Sequence, residues 1–247
     1  MQVTSLFRPT LPGRTGLLQD LDDELVTAAC WREVDAIDRL LALGASPNAV
    51  NNFNEIALHC AAGRSRVTVC ERLLDAGAHV NALDARGASA LYRAANSIHL
   101  VRLMLARGAH PDGMGYCASH GKWTSLHRAA SRGDVDHCRA LIDAGADVNF
   151  FTPDNGAPLH VAAYFGREPI CELLVLKGAR TDTMLFEHTP CMWARKKGFD
   201  RVSELIDAMD KSRQAAEAFE RVMAQGNKGD LSPRAPGRMA RLKRGSS

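Results

Sequence analysis

The chain has 247 residues, 46% of them apolar and 24% charged, which agrees with a folded body, and its formal net charge of +3 conceals a split. Residues 211–247 carry nine Lys/Arg against three Asp/Glu, leaving 22 against 25 in residues 1–210, so only the tail is basic. Seven cysteines, an odd number without any Cys-x-x-Cys pair, argue against a secreted disulfide framework and for a reduced, cytoplasmic setting, and no apolar run approaches the ~18 residues of a membrane-spanning helix.

Residues 1–20, MQVTSLFRPTLPGRTGLLQD, contain two prolines, two glycines and no apolar stretch of signal-peptide length, so they are expected to be a disordered lead-in rather than a secretory signal. The acidic run Asp20, Asp22, Asp23 and Glu24 is expected to precede the first helix and complement its dipole. From there a leucine recurs at Leu25, Leu58, Leu91, Leu126 and Leu159, spaced 33, 33, 35 and 33 residues. A Gly-Ala pair recurs at Gly44, Gly77, Gly108, Gly145 and Gly178, spaced 33, 31, 37 and 33. Self-similarity at such a period marks a solenoid of stacked supersecondary units.

The clearest copy is APLHVAAYFGREPICELLVLKGA, residues 157 to 179. Pro158 suits the first turn of a helix, and Leu159, Ala162 and Ala163 share one face of it. Gly166 ends that helix with a positive φ, Ile170, Leu173 and Leu174 line a second helix, and Gly178 closes the second. The same pattern is present in EIALHCAA (55 to 62), SALYRAA (89 to 95) and TSLHRAA (124 to 130).

These segments, each followed by a leucine-rich pair and Gly-Ala, make residues 22–209 resemble the ankyrin-repeat family, whose unit is about 33 residues with a T-P-L-H-x-A signature. The resemblance implies an all-α fold: a solenoid of helix-turn-helix units with hairpin-like fingers. Six units are expected, at about 22–50, 51–81, 82–114, 115–149, 150–182 and 183–210. LVTAACWREVDAIDRLLALGA (25 to 45) reads as an N-terminal cap, and TPCMWARKKGFDRVSELI (189 to 206) as a C-terminal cap that is expected to meet water with Cys191 and Arg195 at apolar and alanine positions. Ile56 and Ala157 stand where a helix-capping Thr belongs, an expected loss of ~0.5–2 kcal/mol each. Unit 3 is two residues short between Leu91 and Gly108, with NSIHL (96 to 100) as a tighter link. The finger before unit 4, HPDGMGYCASHGKW (110 to 123), gains four residues, and its glycines Gly113, Gly115 and Gly121 are read as conferring flexibility.

The resemblance also implies binding of a protein partner through finger tips and the concave face of the first helices. Positions that the frame leaves free include Asn52, Phe53, Arg86, Tyr116, Lys122, Trp123, Phe151, Asp154, Tyr164, Phe165 and Phe186. Aromatic side chains on a rigid surface carry much of the binding energy at protein interfaces, and their concentration between Tyr116 and Phe186 points to units 4 to 6 as the working surface. The competing reading is that Phe150 and Phe151 pack between fingers and Trp123 covers the long loop.

Catalysis is not expected. His59, His127 and His160 fall at one repeat position, where the resemblance implies that the imidazole ties a finger to its own helix and its neighbour. No P-loop, G-x-S-x-G, H-E-x-x-H or paired C-x-x-C occurs, and Cys117, His120 and His110 are too few to complete a zinc site, so no cofactor or metal is expected.

Residues 211–225 have helix-forming composition that extends or underpins the last cap, and 226–247 are expected to be a disordered basic tail with Arg234, Arg238, Arg241, Lys243 and Arg244. No base-stacking or groove-reading module accompanies that charge, so nucleic acid is not the expected partner. The leading expectation is a monomeric protein-binding module. The alternatives are a targeting subunit that contacts nucleic acid, lipid or an acidic protein through the tail, and an effector delivered into a host cell, with nuclear or host-cell location in place of cytoplasmic.

Overall fold

The computed structural model describes residues 16–31, 34–51, 53–117 and 121–226. Residues 1–15 and 227–247, where the disordered lead-in and most of the basic tail are expected, lie outside the described residues, as do Asn52 and His120.

Five helix pairs follow one another: α1 (Gly16–Trp31) with α2 (Val34–Ala42), α3 (Ala57–Gly63) with α4 (Val67–Asp75), α5 (Ala90–Arg93) with α6 (Ile98–Ala106), α7 (Ser125–Arg132) with α8 (Val135–Asp143), and α9 (Pro158–Tyr164) with α10 (Glu168–Leu176). A sixth pair joins α11 (Pro190–Lys196) to the start of α12 (Asp200–Gly226). A two-stranded antiparallel hairpin, β1 (Met114–Cys117) and β2 (Gly121–Thr124), stands before α7. The described residues up to Ala208 form one compact unit, and the rest of α12, residues 209–226, belongs to a second.

First helices stack on first helices, α1 on α3 on α5 and α7 on α9 on α11, while α2, α4, α6, α8 and α10 form the second row. The recurring leucines Leu25, Leu58, Leu91, Leu126 and Leu159 are each at most 1% exposed, so every seam between units carries a buried leucine worth ~1.5–3 kcal/mol of burial. Alanines beside them (Ala29, Ala61, Ala94, Ala130, Ala162) are fully buried and let the helices approach closely. Cys70, Cys138 and Cys171 fill the second row as small apolar side chains, and burial pushes each thiol up to about 12.

Fingers are joined by an asparagine ladder. Asn48 Nδ2 donates to Gly77 O (2.9 Å) and accepts from His79 N–H (2.7 Å). Asn81 repeats this with Gly108 O and His110 N–H, and Asn149 with Gly178 O and Arg180 N–H. Asp112 occupies the equivalent place before unit 4, where it accepts from Asp147 N–H at 3.0 Å and has no donor for the neighbouring carbonyl.

One local expectation changes and one holds. Asp20, Asp22, Asp23 and Glu24 lie inside α1, which begins at Gly16, so they do not cap its first turn; Asp22 is buried and accepts from Ser46 N–H at 2.7 Å, tying the first helix to the first finger. The missing side-chain cap is as expected at Ile56 and Ala157, whose side chains accept no hydrogen bond, whereas the Ser89, Thr124 and Thr189 hydroxyls accept from Tyr92, His127 and Met192 N–H.

Candidate protein-binding surface

The short α5 leaves a gap that the long finger fills. Only one turn of helix forms over Ala90–Arg93, and contacts between α5 and α7 are sparse. The hairpin packs β1 against α5 and β2 against α7, and Ser89 N–H donates to Met114 O while Ser125 N–H donates to Gly113 O. Arg128 completes the bridge: its guanidinium stacks on the Tyr92 ring at 4.9 Å and donates to Tyr92 O at 2.9 Å.

Hairpin register decides which side chain faces the partner. Gly115 pairs with Trp123 and Tyr116 with Lys122, and cross-strand partners share a face. The Gly115 and Trp123 face lies on unit 3: Trp123 is 4% exposed in a cluster with Ala88, Tyr92 and Val161. Tyr116 and Lys122 are exposed on the other face. Of the two readings of Trp123, contact residue or cover for the long loop, its burial favours the second, because alternation along β2 turns the ring inward, while its edge still reaches the cavity on units 4 to 6.

On units 4 to 6 a cavity of about 490 Å³ is lined by Tyr116 and Gly121 of the hairpin, Trp123, Asp154 and Asn155 of the next finger, His160, Val161, Tyr164 and Phe165 of α9, Leu185 and Phe186 of the last finger, and Trp193 of α11. Six of the residues singled out from sequence meet there: Tyr116, Trp123, Asp154, Tyr164, Phe165 and Phe186. The other four described candidates do not line it. Phe53 and Arg86 are exposed on the second and third fingers, Lys122 is exposed on β2, and Phe151 sets its ring edge against His160 at 6.2 Å.

Trp193 was missed. It sits two positions after Cys191, as Val161 sits two after Leu159, in the column of each first helix that looks onto the concave face, and an aromatic in that column was the available signal. Its indole N–H donates to Leu185 O at 3.2 Å, and its ring lies 5.7 Å from Tyr164 and 5.1 Å from His188. Tyr164 in turn meets Phe165 edge-on at 5.1 Å, so three aromatics form one connected wall.

The last finger forms the opposite lip through a two-residue turn between the bridged Leu185 and His188. Phe186 and Glu187 both hold positive φ, +48° and +63°, in a turn that favours Asn-Gly. For a bulky side chain such a φ is strained, at about 1–3 kcal/mol, yet the strain holds the Phe186 ring outward at 68% exposure. His188 Nδ1 braces the turn at 2.6 Å from Phe186 O.

The repeat histidines are structural. His59 Nδ1 accepts from Ile56 N–H (3.2 Å) and Nε2 donates to Ala82 O (2.9 Å); His160 makes the same pair with Ala157 N–H (3.2 Å) and Thr183 O (3.1 Å). His127 Nε2 donates to Gly156 O at 3.0 Å, and its Nδ1 meets the Thr124 hydroxyl at 2.7 Å. Burial lowers all three, His127 and His160 to about 4, which keeps them neutral. Among the described residues no group of three or more His, Cys, Asp or Glu is placed to hold a metal ion; the Cys117 side chain and His120 lie outside that set. No described helix is long and apolar enough to cross a membrane.

A family model described as ankyrin repeats, in three copies, matches residues 25–114 and 112–184. An ankyrin repeat protein of Fowlpox virus (strain NVSL) is 31% identical over 162 residues, 65% of this chain and 36% of the viral protein. Protein phosphatase 1 regulatory subunit 12A of Mus musculus is 46% identical over 52 residues, 21% of this chain and 5% of that protein. The chain thus spans little more than a third of the longer match and a small fraction of the other. Among solved structures, an ankyrin repeat domain from Acinetobacter baumannii superposes with a TM-score of 0.69 at 27% identity, covering 76% of this chain and 97% of that one.

Proposed function

The chain belongs to the ankyrin-repeat family, and on that premise we propose that it is a non-catalytic interaction module whose protein partner seats on units 4 to 6, with the β1–β2 hairpin and the last finger as the two lips. The observation that carries this reading is the convergence of Tyr116, Tyr164, Phe165, Phe186 and Trp193 from four separate elements on one cavity. Exposed aromatics scattered singly need no explanation, but five around one concavity form the kind of anchor site that dominates binding energy. Strain stored at Phe186 supports the same assignment, since a relaxed turn was available and is not used.

The test is capture of partners from a source-cell lysate with the full chain and with the Tyr164→Ala, Phe186→Ala double variant. Both side chains are exposed, so helical circular dichroism is expected to stay unchanged while specific capture is lost. Retained capture by the double variant would remove units 4 to 6 from the interface.

A further inference from the structure

We propose that the cavity on units 4 to 6 is an arginine pocket: it accepts the guanidinium of an arginine side chain presented by the partner, between its aromatic walls and the Asp154 carboxylate. This rests on the interaction reading above and names its chemistry.

Six of the residues lining the cavity are aromatic rings (Tyr116, Trp123, Tyr164, Phe165, Phe186 and Trp193), and Asp154 contributes its one carboxylate. His160, also on the wall, is neutral near pH 7 and adds no positive charge. Asp154 is exposed, and among the described residues no salt bridge engages it. It lies beside the hairpin: a Cβ added to Gly121 would stand 2.5 Å from Asp154 Oδ2, so the carboxylate sits close to the backbone of β2, where a side chain at 121 would crowd it. A carboxylate without a basic partner beside π faces favours a cation, since both attract positive charge.

The molecule itself shows that these rings attract cations. Lys197 Nζ stands 4.2 Å from the centroid of the Tyr164 ring, and Lys196 Nζ stands 4.9 Å from that of Trp193. Like charge from those two ammonium groups weighs on either cationic side chain, so hydration and geometry separate them: a compact, strongly hydrated ammonium loses more on leaving water. A guanidinium spreads its charge over a plane, stacks on an aromatic face and can give two parallel N–H bonds to Asp154.

Intrinsic fluorescence reads the site directly, because Trp123 and Trp193 line it. The full chain is titrated at low ionic strength with four blocked tripeptides, Ac-Ala-Xaa-Ala-NH2, where Xaa is arginine, citrulline, lysine or leucine. Citrulline has nearly the shape of arginine without its charge. The arginine peptide is expected to give a saturable change, with the other three weaker by about tenfold or more, and Asp154→Asn is expected to reduce the arginine response to the citrulline level. No saturable response to arginine, equal binding of citrulline, lysine or leucine, or an arginine affinity unchanged in Asp154→Asn would each overturn the proposal. Because Asp154 is an exposed loop residue, the variant is expected to keep its circular dichroism. The two readings separate cleanly: capture lost in the Tyr164→Ala, Phe186→Ala variant but unchanged in Asp154→Asn retains the interaction surface and removes the arginine pocket. Selective arginine binding with capture unaffected by the aromatic variant does the reverse.

Discussion

His59 and His160 stand at the third helical position after N-caps that lack a side-chain acceptor, and each imidazole returns a hydrogen bond to the N-cap N–H. That is half of a capping box, with the ring in place of Glu or Gln, and its other nitrogen donates to a carbonyl of the next finger. Protonation would put a hydrogen on Nδ1, opposite another donor, and would charge a ring buried to 1% exposure or less. Folding therefore favours the neutral form, with His127 and His160 near 4 in the native state against about 6.5 unfolded. The unfolded chain binds more protons between those values, so the stabilisation is complete above about pH 6.5 and is lost as pH falls toward 4. At pH 5 the deficit is on the order of 2 kcal/mol for each of these two rings. Urea midpoints measured at pH 8, 6.5 and 5 are expected to fall steeply over the last interval. Burial would raise Asp84, but the Ala88 N–H and the Arg93 guanidinium outweigh it and hold its carboxyl below its ordinary value, so its titration falls at lower pH. A flat profile from pH 8 to 5 would mean that the rings titrate normally.

The β1–β2 hairpin shows what the residue pattern revealed and what it hid. Repeat arithmetic located the four-residue insertion and its place beside the shortened unit, because length differences are explicit in a periodic chain. It did not reveal that the two irregularities compensate, since that depends on the hairpin lying where the missing helix turns would have been. Gly113 and Gly115 read as sources of flexibility, yet neither has a positive φ. They are required by close approach: a Cβ on Gly115 would lie 2.1 Å from Tyr92 Cδ1, and one on Gly113 2.5 Å from Ser89 Oγ. Gly115→Ala is thus expected to push the hairpin off unit 3 at ~1–3 kcal/mol, the usual range for overpacking. The change should be read from near-UV circular dichroism of Trp123, with far-UV helix content preserved. An unaltered aromatic signal and midpoint would show that the Tyr92 ring yields without cost. Trp123 follows the same logic, since strand alternation buries it once a hairpin is recognised, but two four-residue strands offer too little period to recognise.

Across the whole array, the helix pairs and their spacing were legible, whereas the way single exceptions pack was not. Each unit contacts its neighbours alone, so a local exception in one finger leaves the other seams intact. The fingers can therefore be compared as internal controls. Asn54 in the second, Gly87 in the third and Gly156 in the fifth take the left-handed conformation, all residues for which it is inexpensive; the last finger alone uses Phe186 and Glu187 there among these. If that strain were a tolerated accident, relieving it would stabilise the molecule and do nothing else. If it is retained to hold an aromatic lip over the cavity, relief would separate stability from binding. The double substitution Phe186→Asn, Glu187→Gly installs the favoured two-residue turn and is expected to stabilise the array by about 1–3 kcal/mol in urea unfolding while weakening partner capture. Restoring the ring alone, with Glu187→Gly in an otherwise unchanged chain, should recover capture and keep part of the added stability. Gain of stability with capture intact in the Asn-Gly variant would show that the turn serves the fold and that the partner does not use Phe186.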